Sequence, residues 1–134
     1  MGFEVIGKIK GKGRPKWSSK THSMYTPVST RAYEDYIKDC YINQSGKLLE
    51  GAIRVNINML FAIPKSMKKA DKELCKYNEM LPDKKPDADN CAKVVLDALN
   101  RVAYGDDKQV VELSVVKRWT TGEERLEIEI SQID

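Results

Sequence analysis

Between Lys84 and Asp107 the chain sets five aspartates, Asp87, Asp89, Asp97, Asp106 and Asp107, around Lys93. Pro86 biases Lys85 toward an extended backbone. Asp87 is therefore expected in or just beyond an extended segment, with Asp89 able to cap the helix that follows. Carboxylates two residues apart at such a junction can converge on one cation. Along an ideal helix Asp89, Lys93, Asp97 and Asn100 follow at steps of four, four and three and share one face, while Cys91, Val95, Ala98 and Val102 line the other. Lys93 then stands one turn from Asp89, where it can balance acidic charge or reach a scissile phosphate. Asp106 and Asp107 fall in a Gly105 turn before a strand. A meeting of that loop with the loop before the helix, at a sheet edge, is expected to add a third carboxylate. Three carboxylates make an oxygen site of the kind magnesium prefers, which suits phosphodiester hydrolysis. The same residues could equally cap a helix, make a turn and form a surface ion pair, and spacing alone leaves both readings open.

The other potential ligands restrict the chemistry further. Cys40, Cys75 and Cys91 contain no C-x-x-C pair, and His22 is the one histidine, so a zinc finger or ribbon cannot be built. The three cysteines are expected as reduced core or half-buried thiols. Gly11 to Lys16 lacks the spacing of a phosphate-binding P-loop, so no nucleotide cofactor is expected. Lys8, Lys10, Lys12, Arg14, Lys16 and Lys20 follow one another with no acidic residue among them, interleaved with Gly11, Gly13, Pro15 and Trp17. Such a segment can track a phosphate backbone while Trp17 stacks on a base, although a solvated basic loop has the same composition. His22, in a Ser/Thr-rich loop, is expected at the surface, and Trp119 in the core or an interface.

The elements that must position these groups can be read from periodicity. Residues Phe3 to Ile9 alternate as a strand, and Ser29 or Thr30 can cap a helix reaching about Ile42. The odd positions from Ile53 to Ile63 are all apolar, the pattern of a strand with one buried face. Ser66 can cap a helix through about Tyr77, a loop from Asn78 to Pro86 holds two prolines, and a third helix runs from about Asp89 to Val102. Gln109 to Thr120 and Glu124 to Ser131 read as a closing hairpin around Thr121-Gly122. This order predicts an α+β fold: a single domain over 1–134, with a mixed β-sheet and helices packed mainly on one face. A length of 134 residues, 41% hydrophobic and 32% charged, with net charge +3, fits a globular domain. With no apolar run of about 18 residues and no secretory leader, no membrane association and a cytoplasmic location are expected.

The string Lys85-Pro-Asp-Ala-Asp-Asn90, then Lys93, Asp97-Ala-Leu-Asn100 and Tyr104-Gly-Asp-Asp-Lys-Gln109 resembles the RusA family of Holliday-junction resolvases. The resemblance extends to Gly13-Arg-Pro-Lys16 and Tyr25-Thr-Pro27. It implies a homodimer that binds four-way DNA junctions and introduces paired symmetric nicks with magnesium, manganese being a possible substitute. It places the acidic ligands on Asp87, Asp89 and Asp107 and the essential lysine on Lys93. A loop about one residue shorter between Asn100 and Asp106 leaves Asp106 as an alternative to Asp107. Lys12, Arg14, Lys16, Lys84 and Lys85 are the expected DNA contacts. The rival expectations are a non-catalytic module for branched or single-stranded DNA, and a flap-type nuclease or nucleotide phosphohydrolase using the same carboxylates.

Overall fold

The strand with the strongest alternation becomes the centre of the sheet. In the computed structural model, which describes residues 2–133, β4 (Ile53–Ala62) buries Ile53, Val55, Ile57, Met59 and Phe61 on one face. Each such side chain contributes about 1.5–3 kcal/mol on burial, so this strand organises the core. Around it lie β1 (Gly2–Ile6), β5 (Val110–Thr120) and β6 (Arg125–Gln132) in the order β1-β6-β4-β5. β4 pairs parallel with β5 and antiparallel with β6, and β1 pairs antiparallel with β6. Sequence position 1 and position 134 lie outside the described residues.

The expected closing hairpin does not form: β5 and β6 are separated by β4, which hydrogen-bonds to both. A Thr-Gly turn signal cannot distinguish a tight hairpin from a short loop crossing the end of an intervening strand. Glu124 holds that crossing in place. Its carboxylate accepts from the Ala62 amide at 3.2 Å and the Ile9 amide at 2.9 Å, and its carbonyl accepts from Gly7 N at 2.9 Å.

Three helices complete the α+β architecture: α1 (Val28–Gln44), α2 (Lys69–Lys76) and α3 (Ala88–Leu99). α1 and α3 pack on each other and send Tyr33, Ile37, Tyr41, Cys91, Val94, Val95 and Leu99 into the one core cluster. The buried side of α3 falls at the expected three- and four-residue spacing. The helix starts differ from expectation. α1 begins after Pro27 rather than at a Ser29 or Thr30 cap, and α2 begins after Lys68 rather than at Ser66. β1 is shorter than the alternating Phe3 to Ile9 segment, since Gly7 adopts φ +126°. The basic loop also contains an unforeseen hairpin of β2 (Lys16–Ser18) and β3 (Ser23–Tyr25), with His22 at φ +52° in its turn. All three cysteines are free; Cys75 and Cys91 are buried and Cys40 is partly so. None of the described helices is long and apolar enough to cross a membrane.

Candidate active site and nucleic-acid interface

The basic loop is anchored by residues far from it in sequence. Thr30, buried in the first turn of α1, accepts a hydrogen bond on Oγ1 from Gly13 N at 3.1 Å, and Lys12 N donates to Asn90 O at 3.1 Å. The approach leaves little room for side chains. A Cβ on Gly13 would lie 2.5 Å from Thr30 Oγ1, and one on Gly11 would lie 3.0 Å from Asn90 Cβ. Lys12 turns inward, its ammonium 2.9 Å from both Glu34 and Asp97. Burial pulls its pKa down, but the hydrogen bonds to these carboxylates outweigh that and raise it above the ordinary lysine value. Lys12 is therefore a tie between the loop, α1 and α3. That arrangement differs from a free phosphate contact.

Between this loop and the head of α3 opens a cleft of about 630 Å³. Lys8, Lys10, Lys12, Arg14, Lys84 and Lys85 line it against Asp87 and Glu124, so the wall is strongly positive. Lys84 holds its ammonium over the rings of Phe61 and Trp119 at 5.2 and 5.9 Å, and Lys117 donates to the Lys84 carbonyl. Lys85 and Arg14 are exposed, as is Lys16 on β2. Trp17 is 59% exposed on the same hairpin, whereas Trp119 is buried edge-on against Phe61.

Asp87, not Asp89, occupies the N-cap position of α3, and its side chain makes no capping hydrogen bond. Asp89 lies in the first turn; both carboxylates are exposed above the positive end of the helix dipole. Lys93 follows one turn later, also exposed, and forms no ion pair among the described residues. Asp97, the other charge on this stripe, pairs with Lys12 instead.

Asp106 and Asp107 stand at the other end of the helix. At about 1.5 Å per residue the twelve residues of α3 carry the chain about 18 Å from Asp87. There Asn100 ends the helix, Arg101 adopts φ +64°, and Tyr104 donates its hydroxyl to Leu96 O at 2.7 Å. A 3-10 helix, Asp107–Gln109, leads into β5. The same separation appears across β4. The cleft with Asp87 includes Phe61 near one end of the strand, while Gln109 donates to Gly51 O beside its other end, at Ile53. The expected meeting of the two loops therefore does not occur within one chain. The short link from α3 to β5 leaves the third aspartate at the foot of the helix.

The paired aspartates at the foot have different surroundings. Asp106 caps the 3-10 helix, accepting from Lys108 N at 2.9 Å, and that bond with one from Asp107 holds its carboxyl below the usual range. Asp107 is pushed up by its hydrogen bond to Asp106, by partial desolvation, and by repulsion from Asp106 and Asp97. Asp107 therefore lacks the cap that occupies Asp106.

As a donor set for a divalent cation, Asp87 and Asp89 suit a hydrated ion: hard oxygens, exposed, with neither imidazole nor thiolate beside them. Burial pushes the Cys91 thiol to about 12, so it remains protonated and inert. Among the described residues no three His, Cys, Asp or Glu side chains are grouped to hold a metal. The pair thus fits part of an ion's coordination sphere, and a three-carboxylate site within one chain does not fit. Sequence spacing alone did not reveal Thr30 and Glu124, whose partners lie 17, 62 and 115 positions away.

The chain is 32% identical to the "Uncharacterized protein YqaN" of Bacillus subtilis (strain 168) over 137 aligned positions, covering 98% of this chain and 95% of that protein. A family model described as "Endodeoxyribonuclease RusA" matches residues 7–131. The chain belongs to the RusA endodeoxyribonuclease family, a family of hydrolases.

Proposed function

We propose that the protein is a magnesium-dependent endodeoxyribonuclease that binds four-way DNA junctions as a homodimer and resolves them by paired symmetric nicks in recombination and repair. The observation that carries this reading is the head of α3, where Asp87 lines a cleft with basic walls, Asp89 stands in the first turn and Lys93 one turn beyond it, none of them in an ion pair among the described residues. The wall draws in a phosphate backbone through Arg14, Lys84 and Lys85. Lys16 and Trp17 extend that track along the β2–β3 hairpin, Trp17 offering a ring to an unstacked base. Asp87 and Asp89 hold negative charge at a fixed spacing, and Lys93 brings its ammonium toward the phosphate they flank. Magnesium, with manganese as substitute, supplies charge neutralisation on the phosphate oxygens when bound. Asp107 is favoured over Asp106 as the third carboxylate, because Asp106 is held in its cap.

The rival reading as a non-cutting branched-DNA module draws support from the separation of Asp107 from the other aspartates. A labelled four-way junction incubated with and without magnesium, with both strands mapped, separates the two. Symmetric nicks that need magnesium support the proposal, whereas junction binding without nicks leaves the binding module. Flap, linear duplex and nucleotide substrates complete the comparison, and preference for any of these over the junction would overturn the resolvase reading.

A further inference from the structure

The packing of α2 makes no use of its lysines. Lys68 stands at its N-cap, Lys69, Lys72 and Lys76 lie within it, and Lys65 comes just before it. Lys72 is half-buried and the others are exposed, while Cys75 is the residue that α2 sends into the core. Among the described residues none of these lysines forms an ion pair, although Asp71 and Glu73 lie on the same helix. Their placement opposes the helix. Lys68 and Lys69 sit at the positive end of its dipole, and Lys72 and Lys76, four positions apart, are neighbours of like charge. A helix of eight residues has little propensity to spare against such repulsion, which a polyanion laid along the row would relieve. The row also joins the cleft. Lys65, Lys72 and Lys76 converge with Thr121 and Gly122 on a hollow of about 420 Å³ at the crossing from β5 to β6. Further along that crossing Glu123 and Glu124 line a hollow of about 470 Å³ with Lys8 and Lys84, and these two lysines also line the cleft beside Asp87. Glu124 is engaged by the Ala62 and Ile9 amides, so the path from cleft to α2 is strongly positive.

We propose that α2 is a second DNA-contact surface, on which Lys65, Lys72 and Lys76 hold the phosphates of a duplex arm that leaves the cleft across the crossing at 121–124. The presence of DNA in the cleft is taken from the function proposed above; the surface itself rests on the unpaired lysine row and its continuity with the cleft wall. Lysines offer point charges on flexible stems rather than a planar fork for a base edge, so the contact adds affinity without reading sequence. It lies apart from Asp87 and Asp89 and acts on the capture of the arm, not on the reacting phosphate. Arms too short to reach α2 gain nothing from it.

Binding of a labelled four-way junction over a range of salt concentrations tests this. Lys72→Gln/Lys76→Gln is expected to raise Kd on the order of tenfold and to lower the slope of log affinity against log salt by about 2, as for two lost phosphate contacts. Lys38→Gln/Lys47→Gln removes the same charge from α1 and the loop after it, and should leave that slope nearly unchanged. Lys72→Arg/Lys76→Arg keeps the charge and should bind as the wild type does. Nicking by the glutamine variant of α2 at saturating protein is expected at the wild-type rate, and shortening the junction arms should erase its difference in affinity from the wild type. An unchanged slope in that variant, an equal loss in the α1 variant, or an equal loss in the arginine variant would overturn the inference and leave the nuclease reading standing. An α2-dependent slope in a protein that binds the junction without nicking it would support the surface and count against the nuclease reading alone. A wild type that binds no DNA would overturn both.

Discussion

The two ends of α3 carry nearly the same residue types and do different things with them. At the head, Asp87 and Asp89 lie exposed beside a basic cleft, with Lys93 one turn away and no ion pair tying it down. At the foot, Asp106 caps a short helix, Asp97 is held by Lys12, and Asp107 faces both carboxylates. Local structure engages most of the charges at the foot and leaves those at the head open to a ligand. Whether an aspartate is structural or reactive is decided here by what its neighbours already satisfy, which composition does not show.

The comparison can be broken first at the head. Asp87→Asn is expected to lower junction nicking by on the order of 10³-fold, the scale of losing an electrostatic contact made at the reacting phosphate. Asp106→Asn at the foot should cost far less activity. Single-turnover nicking of both variants checks the contrast, and equal losses would erase the distinction between the ends. Lys93→Ala is expected to reduce nicking about 10²-fold while junction affinity changes little, read as a separate rate and Kd; a loss confined to affinity would recast Lys93 as a binding residue.

Smaller effects sharpen the account of the scaffold. Glu124→Ala removes a carboxylate that accepts from two backbone amides, and should destabilise the fold by about 2–3 kcal/mol in denaturant titration. Arg14→Ala should weaken junction binding and lower the slope of log affinity against log salt by about 1, as for one lost phosphate contact. Lys12→Ala, by contrast, should lower stability more than it changes that slope, because its ammonium already bridges Glu34 and Asp97. Arg101→Gly should raise stability by about 1 kcal/mol, since glycine adopts φ +64° without the cost borne by a side chain.

Local pattern made part of this molecule legible. The alternation from Ile53 to Ile63 marks a strand with one buried face, though not its place in the sheet, and helical spacing from Asp89 to Asn100 separates the core side of α3 from its charged side. Asp87, Asp89 and Lys93 were within reach of such reasoning because they lie within seven consecutive residues at the start of one helix. Asp107 was not. Its distance from them follows from the direction of α3 and the place of β5 beside the start of β4, which are properties of the whole sheet. The false hairpin has the same origin: β4 enters between β5 and β6 from far upstream in the sequence. Lys12 looked like a phosphate contact because its two carboxylate partners lie on separate helices.

The central claim is that the head of α3 performs the chemistry, and Asp89→Asn tests it most directly when nicking and binding of one labelled four-way junction are measured in parallel in magnesium. The account predicts that nicking is abolished while binding persists or tightens, because repulsion toward phosphate falls. Nicking at the wild-type rate by this variant would contradict it.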